Sequence, residues 1–201
     1  MNDLRQAKQT RLTRRISQAF LLLFTLMGSS LIHAQEAYYP AREGLSWTYS
    51  NGETNTFTGT TIFEGYSAHV MVKYLQGLPI SEEYLIYDGS GVRFVGTAAG
   101  GQILSYAPFL ILYPPPPLQV GQVWSSAARV SGFDISLNAE VVAVRGVKTP
   151  AGRFNALQIR QQTITSTGAQ TVNDLYFVPS IGIVRWVTQD GTNIDLIDKN
   201  F

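Results

Sequence analysis

One phrase occurs twice in this chain, with the same internal spacing. Pro40-x3-Gly44-x2-Trp47 returns as Pro117-x3-Gly121-x2-Trp124. Each copy is followed by a second shared phrase, Gly65-Tyr66-x-Ala68 in the first half and Gly152-Arg153-Phe154-x-Ala156 in the second. Each half then ends on a similar hairpin, Tyr84 to Phe94 and Leu175 to Trp186. A long unit present only twice implies an internally duplicated domain rather than a solenoid, whose units are shorter and stack in larger number. The predicted layout is repeat one over about 38–96, a connector over 97–116 and repeat two over about 117–199.

Within each repeat the pattern is that of strands. Leu45, Trp47 and Tyr49 alternate with Ser46, Thr48 and Ser50, and Asn51-Gly52 follows as a hairpin signal. Ala68, Val70, Val72 and Tyr74 share one side of the next run but one, and Gly77 and Pro79 break it. Asp88-Gly89-Ser90-Gly91 and Asp190-Gly191 read as further turns. The second half carries two long runs, Val123 to Phe133 and Ile135 to Val147, and then shorter ones to Asp198. No helical period survives beyond the first residues. The expected fold is all-β: an antiparallel curved sheet, closing as a half-barrel or flattened barrel, built from two tandem repeats. Between the halves, Thr97 to Gly101 reads as flexible and Pro114 to Pro117 as extended, with Tyr106 to Tyr113 bridging them and a short helical turn near Pro108.

Residues 1–34 read as a secretory signal. Arg5, Lys8, Arg11, Arg14 and Arg15 form a basic region, Ala19 to Met27 an apolar run, and Ala34 a small residue at a cleavage point. The mature domain is then 35–201, and its destination the periplasm, cell envelope or exterior. Loss of the signal takes Lys plus Arg from 15 to 10 and Asp plus Glu from 14 to 13, so the net charge goes from +1 to −3. That balance argues against a nucleic-acid partner, which needs a basic surface. With no cysteine, disulfides, thiolate chemistry and a lipid anchor on cysteine are all excluded. No second long apolar run offers a transmembrane span after cleavage.

The phrases Tyr39-Pro40-x3-Gly44-x2-Trp47-x-Tyr49, Pro117-Leu118-x-Val120-Gly121-x2-Trp124, Val147-x-Thr149-Pro150-Ala151-Gly152-x-Phe154 and Gly182-Ile183-Val184 are structural rather than catalytic. In them the chain resembles a broad set of exported bacterial proteins of undefined function. Those are thought to share the curved β-sheet of the LolA/LolB-like lipoprotein carriers. The resemblance implies a curved sheet. It carries over no functional residue, and the helices that the carriers wrap inside their half-barrel have no counterpart legible here.

No catalytic or metal constellation is legible. His69 is the one histidine of the mature chain, and a zinc site needs about four ligands. Ser90 lies in a turn with no base beside it other than His69, and there is no Gly-x-Ser-x-Gly elbow. Glu82 and Glu83 are adjacent on a strand and point to opposite faces. No enzyme activity, metal or cofactor is therefore expected. Arg93 is expected opposite Ile86 and diagonal to Asp88, and Arg185 opposite Tyr176 and diagonal to Asp174, as matched structural pairs in the two repeats.

What remains is an apolar surplus. Tyr84 and Ile86 lie on one face of a strand with Leu85 and Tyr87 on the other, and Leu175 and Phe177 back onto Tyr176 and Val178. A sheet wet on one side would alternate cleanly, so both faces require cover. The predicted function is non-enzymatic binding of a lipid or other apolar or amphipathic ligand in a concave sheet. Trp47, Trp124, Trp186, Tyr87 and Tyr176 would line the site, and Phe109, Leu110, Leu112 and Tyr113 would close over it as a flap. The alternative is a structural or interaction module of the envelope. It would dock a protein partner through the apolar, proline-rich segment 106–118.

Overall fold

A computed structural model describes residues 38–201, so the signal read at 1–34 and its cleavage point lie outside the described residues. Twelve strands follow one another: β1 (Ser46–Tyr49), β2 (Glu53–Phe63), β3 (Tyr66–Leu75), β4 (Leu78–Asp88), β5 (Gly91–Ala99), β6 (Gln102–Tyr113), β7 (Val123–Val130), β8 (Phe133–Thr149), β9 (Gly152–Thr165), β10 (Gln170–Val178), β11 (Gly182–Val187) and β12 (Asn193–Lys199). Each pairs antiparallel with its sequence neighbour, and β1 pairs with β12. The sheet is therefore a closed barrel rather than the half-barrel among the expected forms. Closure comes from the short strand β1, where Trp47 faces Lys199, Thr48 faces Asp198 and Tyr49 faces Leu196, leaving no unpaired edge there. The lightest joint is between the halves. There β6 and β7 meet at Ala107 and Arg129, and the Ile111 N–H is taken by Ser126 Oγ at 3.0 Å.

Residues 97–113 are strand and turn rather than an irregular connector, 114–116 lie between strands as expected, and 109–113 is not a flap. Residues 97–99 complete β5, Gly100 and Gly101 make a tight turn with φ +57° and +77°, and β6 runs on through Tyr113. Such paired left-handed residues match the twist of the strands they join, so the two glycines build a hairpin instead of a mobile link. The pleat then sends the large side chains of β6 to opposite faces, and Leu110 and Tyr113 are buried in the wall.

The two halves correspond in register. The Gly44 N–H donates to Phe57 O at 2.7 Å and the Gly121 N–H to Val141 O at 2.8 Å. Trp47 opposes Asn55, and Trp124 opposes Ala139, two residues before those acceptors. The ladders β2–β3 and β8–β9 bulge at the next residue, Thr58 and Val142. Ala68 and Ala156, both 0% exposed, stand three residues before the bulge partners Met71 and Ile159. Further on, β5 bulges at Val95 and β11 at Val184, again both 0% exposed, opposite Tyr84-Leu85 and Tyr176-Phe177. Bulges bend a strand and sharpen its twist.

In each half the bent hairpin reaches the strands further round the sheet. Phe63 on β2 stacks on Tyr84 at 4.2 Å and lies over Gly96 of β5, where a Cβ would stand 2.2 Å from the ring. Glycine is required there by that ring and by the Leu104 carbonyl. Glu64 at the tip accepts from Ser105 Oγ on β6 at 2.9 Å. In the second half the Ala151 N–H donates to Leu196 O at 3.2 Å, and Arg185 Nη2 donates to Lys148 O at 3.0 Å. These folded hairpins explain the two-faced apolar strands. Leu85 and Tyr87 belong to the main core, while Tyr84 and Ile86 join a second cluster with Phe63, Ala68 and Val95.

The arginines are not matched positions. Arg93 faces Ile86 and pairs with Asp88 as expected, and its guanidinium lies 5.1 Å from the Phe109 ring centre. Arg185 faces Tyr176 but pairs with Asp195 at 2.5 Å, because Asp195 stands directly opposite on β12 and nearer than a diagonal partner. Asp174 goes to Arg160 on β9 at 3.0 Å. The register counterpart of Arg185 is Gly96, since these residues face Tyr176 and Tyr84 respectively.

Candidate ligand-binding cavity

One end of the barrel is closed by aromatic rings. Tyr38 and Tyr39, just ahead of β1, enter that end: Tyr38 packs on Phe177 at 4.9 Å and Tyr39 on Tyr113 at 5.3 Å, while the Ser180 N–H donates to Tyr38 O. Trp47 completes the floor with Phe57 and Phe201 and donates its Nε1 hydrogen to Ile181 O at 2.6 Å. Each of these rings buries a large apolar area, and the offset and edge-on arrangements suit their quadrupoles.

Above this floor the interior holds a cavity of about 230 Å³. Its walls are apolar, with Leu85, Leu110, Leu137, Leu175, Ile183 and Trp186 among them. Strand alternation delivers these side chains inward from both halves. Toward the end that carries the Asn51-Gly52 and Gln76-Gly77 turns, the lining becomes polar. Asn55, Lys73 and Glu83 line the cavity itself, and Tyr49, Lys73 and Trp186 are shared with a mouth that adds Asn51, Glu53, Asn173 and Thr188.

The polar pole follows from register. Asn55 faces Lys73 across β2–β3, and Met71 faces Glu83 across β3–β4, which places Lys73 diagonal to Glu83. The ammonium and carboxylate meet at 2.6 Å with each side chain one-fifth exposed. Burial works to lower the Lys73 pKa, but the attraction of Glu83, their hydrogen bond and the charge of Glu53 together carry it above the ordinary lysine value. Asn55 is 5% exposed, and its Oδ1 has no hydrogen-bond partner among the described residues. Lower down, burial pushes the Tyr49 and Tyr113 phenols well above the usual tyrosine range, with the neighbouring Tyr39 adding to the shift.

Of the nine residues expected to form the site, Trp186, Leu110, Leu112 and Tyr113 line the cavity. The others stand elsewhere. Trp47 belongs to the floor, beneath the cavity. Trp124 is half-buried against the main core, opposite Ala139. Tyr87 is buried edge-on to His69, with ring centres 4.9 Å apart. Tyr176 neighbours Gln158 and Arg185 in the ladder, next to the inward Leu175. Phe109 belongs to the second cluster and meets Tyr66 at 4.9 Å. Asn55, Lys73 and Glu83 were not anticipated. The signal was present in the alternation that puts Met71 with Lys73 and separates Glu83 from Glu82, but the fold was needed to show that this face is interior.

No family model and no curated protein sequence matches this chain. Solved structures do. A candidate lipoprotein from Parabacteroides distasonis superposes with a TM-score of 0.46 at 12% identity, over 80% of this chain and 97% of that one. A candidate exported protein from Bacteroides fragilis, with a YmcC-like fold, gives 0.46 at 14% identity, over 81% of this chain and 98% of that one.

Proposed function

We propose that this is a non-enzymatic, exported protein of the cell envelope that holds an apolar or amphipathic ligand inside its barrel. The observation that carries the reading is the cavity, closed by aromatic rings at one end, walled by aliphatic side chains and polar at its mouth. Specific small-molecule sites have this composition, a mostly apolar surface with a few placed polar groups. Size sets the ligand class. The interior of about 230 Å³, before the adjoining mouth of about 290 Å³ is counted, exceeds the roughly 150 Å³ cavity that accepts benzene, and with the mouth it reaches the range of small-ligand pockets. A single short acyl chain fits this space better than a whole two-chain lipid. The basic and apolar leader supports export. The matched registers support descent from two copies of one unit. Ser90 sits in the turn between β4 and β5 while His69 packs on Phe57 and Tyr87, an arrangement that favours binding over chemistry.

The test is a fluorescence titration with N-phenyl-1-naphthylamine, an apolar probe that brightens out of water. Wild-type protein is expected to bind it, and Leu137→Phe with Leu175→Phe, which fill the cavity, to weaken binding at least tenfold with the urea midpoint unchanged or raised. A wild-type protein that leaves the probe dark, or a filled variant that binds it equally, removes the reading. A second reading, an interaction module, loses the segment 106–118, most of which is spent in the wall. It retains Leu78, Ile103 and Phe133, which are 70%, 67% and 53% exposed near turns at the mouth end. A protein that binds no amphiphile but pulls down an envelope partner through those residues would favour it.

A further inference from the structure

The polar pole of the cavity selects the head of its ligand, and this step rests on the binding reading above. Among the described residues two carboxylates, Glu53 and Glu83, stand there against one ammonium, Lys73, and that ammonium is already held by Glu83 at 2.6 Å. Asn55 lines the same space, and its buried acceptor Oδ1 has no partner among the described residues. Leaving a buried acceptor unpaired is costly, so a ligand that donates to it gains relative to one that cannot. Gln161 and Thr163 in the cavity, and Asn51, Asn173 and Thr188 at its mouth, can donate or accept, so they do not decide the sign. The charge count does decide it: an anionic head enters a site of net negative charge with its one cation engaged, and in a partly desolvated mouth that repulsion is weakly screened.

We infer that the barrel takes a single-chain amphiphile with a hydrogen-bond-donating, uncharged or cationic nitrogen head, an alkyl amine or acyl amide, and discriminates against fatty-acid anions. The head lies between Asn55 and Glu83, and the chain runs down past Leu85, Leu137 and Leu175 toward the tyrosine floor.

The experiment displaces bound N-phenyl-1-naphthylamine with octylamine, octanamide and octanoate, all below their aggregation concentrations and at neutral pH. Octylamine and octanamide are expected to displace the probe at concentrations at least tenfold below octanoate. Asn55→Ala, which installs the residue that the second half carries at the matched position, is expected to weaken octanamide about tenfold more than it weakens the probe. Glu83→Gln is expected to narrow the gap between octylamine and octanoate; if that variant is unstable, the Asn55 arm still decides. Probe binding with octanoate equal or preferred overturns the inference and leaves the binding reading standing. An Asn55→Ala protein with the wild-type ranking and affinities overturns the role of Asn55. A wild-type protein that never binds the probe removes both.

Discussion

The two halves of the barrel share a backbone plan and reverse its chemistry. Inside the first half stand Asn55, Lys73 and Glu83; the register counterparts inside the second are Ala139, Gln161 and Leu175. Where the bent hairpins dock, the contrast runs the other way. The first half uses Phe63 stacked on Tyr84 over Gly96, and the second uses Arg185 reaching Asp195 and the Lys148 carbonyl. One half carries charge within and is greasy at its docked hairpin, the other is uncharged within and ionic there. Turn glycines, bulges and the small buried alanines hold the geometry, and the side chains at the remaining positions are free to divide the work. The charge of the cavity lining is thereby confined to one side.

The largest effect that separates the halves is expected at the hairpin docks. Phe63→Ala empties the centre of the second cluster and should cost about 4 kcal/mol. Val147→Ala, the matched change in the second half, removes a smaller side chain from a tip that Arg185 also holds, and should cost about 2 kcal/mol. Urea denaturation of both variants measures this directly. Equal losses would mean that the two docks are interchangeable, and the reversal described above would fail at its outer face.

The interior gives the next effect. Lys73→Met leaves Glu83 without its partner and is expected to cost about 3 kcal/mol, the lower end for a broken buried pair, because both side chains keep one-fifth of their exposure. Adding Glu83→Leu copies what the second half already does at Leu175. The double variant should recover most of the loss, since an apolar replacement of an ion pair is often neutral or better. A double variant no more stable than the single one would show that the first half requires charge for folding and not only for its ligand.

Much of this was legible beforehand. The Asn51-Gly52, Asp88–Gly91 and Asp190-Gly191 turns, the strand runs and the twofold phrase all act locally, through φ angles and alternation, and local patterns survive in sequence. What was misread needed long-range pairing. The prolines at 114–117 do follow the end of β6, but Pro108, which also suggested a break, sits in a strand whose next partner is only lightly hydrogen-bonded, so its missing N–H costs little there. Lys73 and Glu83 meet only because the β3–β4 register sets Met71 opposite Glu83. Arg93 and Arg185 looked equivalent because the two hairpin loops differ in length, which a comparison of motifs cannot correct.

The smallest expected effect is a pH dependence that belongs to the first half. Lys73 is raised above the ordinary lysine value because its attraction to Glu83, their hydrogen bond and Glu53 outweigh the lowering by burial. Tyr49 and Tyr113 are raised above 10.0, chiefly by burial. All three groups therefore keep their protons in the folded protein at pH values where the unfolded chain has begun to release them. Their contribution is fully present below the unfolded values and is lost as the pH rises through and beyond them, because deprotonation then draws the equilibrium toward the unfolded chain. Stability should be flat through neutrality and fall above pH 10, read as a declining urea midpoint. None of the cavity residues of the second half is ionisable: Ile135, Leu137, Gln161, Thr163, Leu175, Ile183 and Trp186. Tyr49→Phe should therefore reduce the alkaline decline, and Tyr49→Phe in the Lys73→Met/Glu83→Leu background should reduce it further. A decline that survives unchanged in that triple variant would place its origin outside the polar pole and would break the assignment of interior charge to one half.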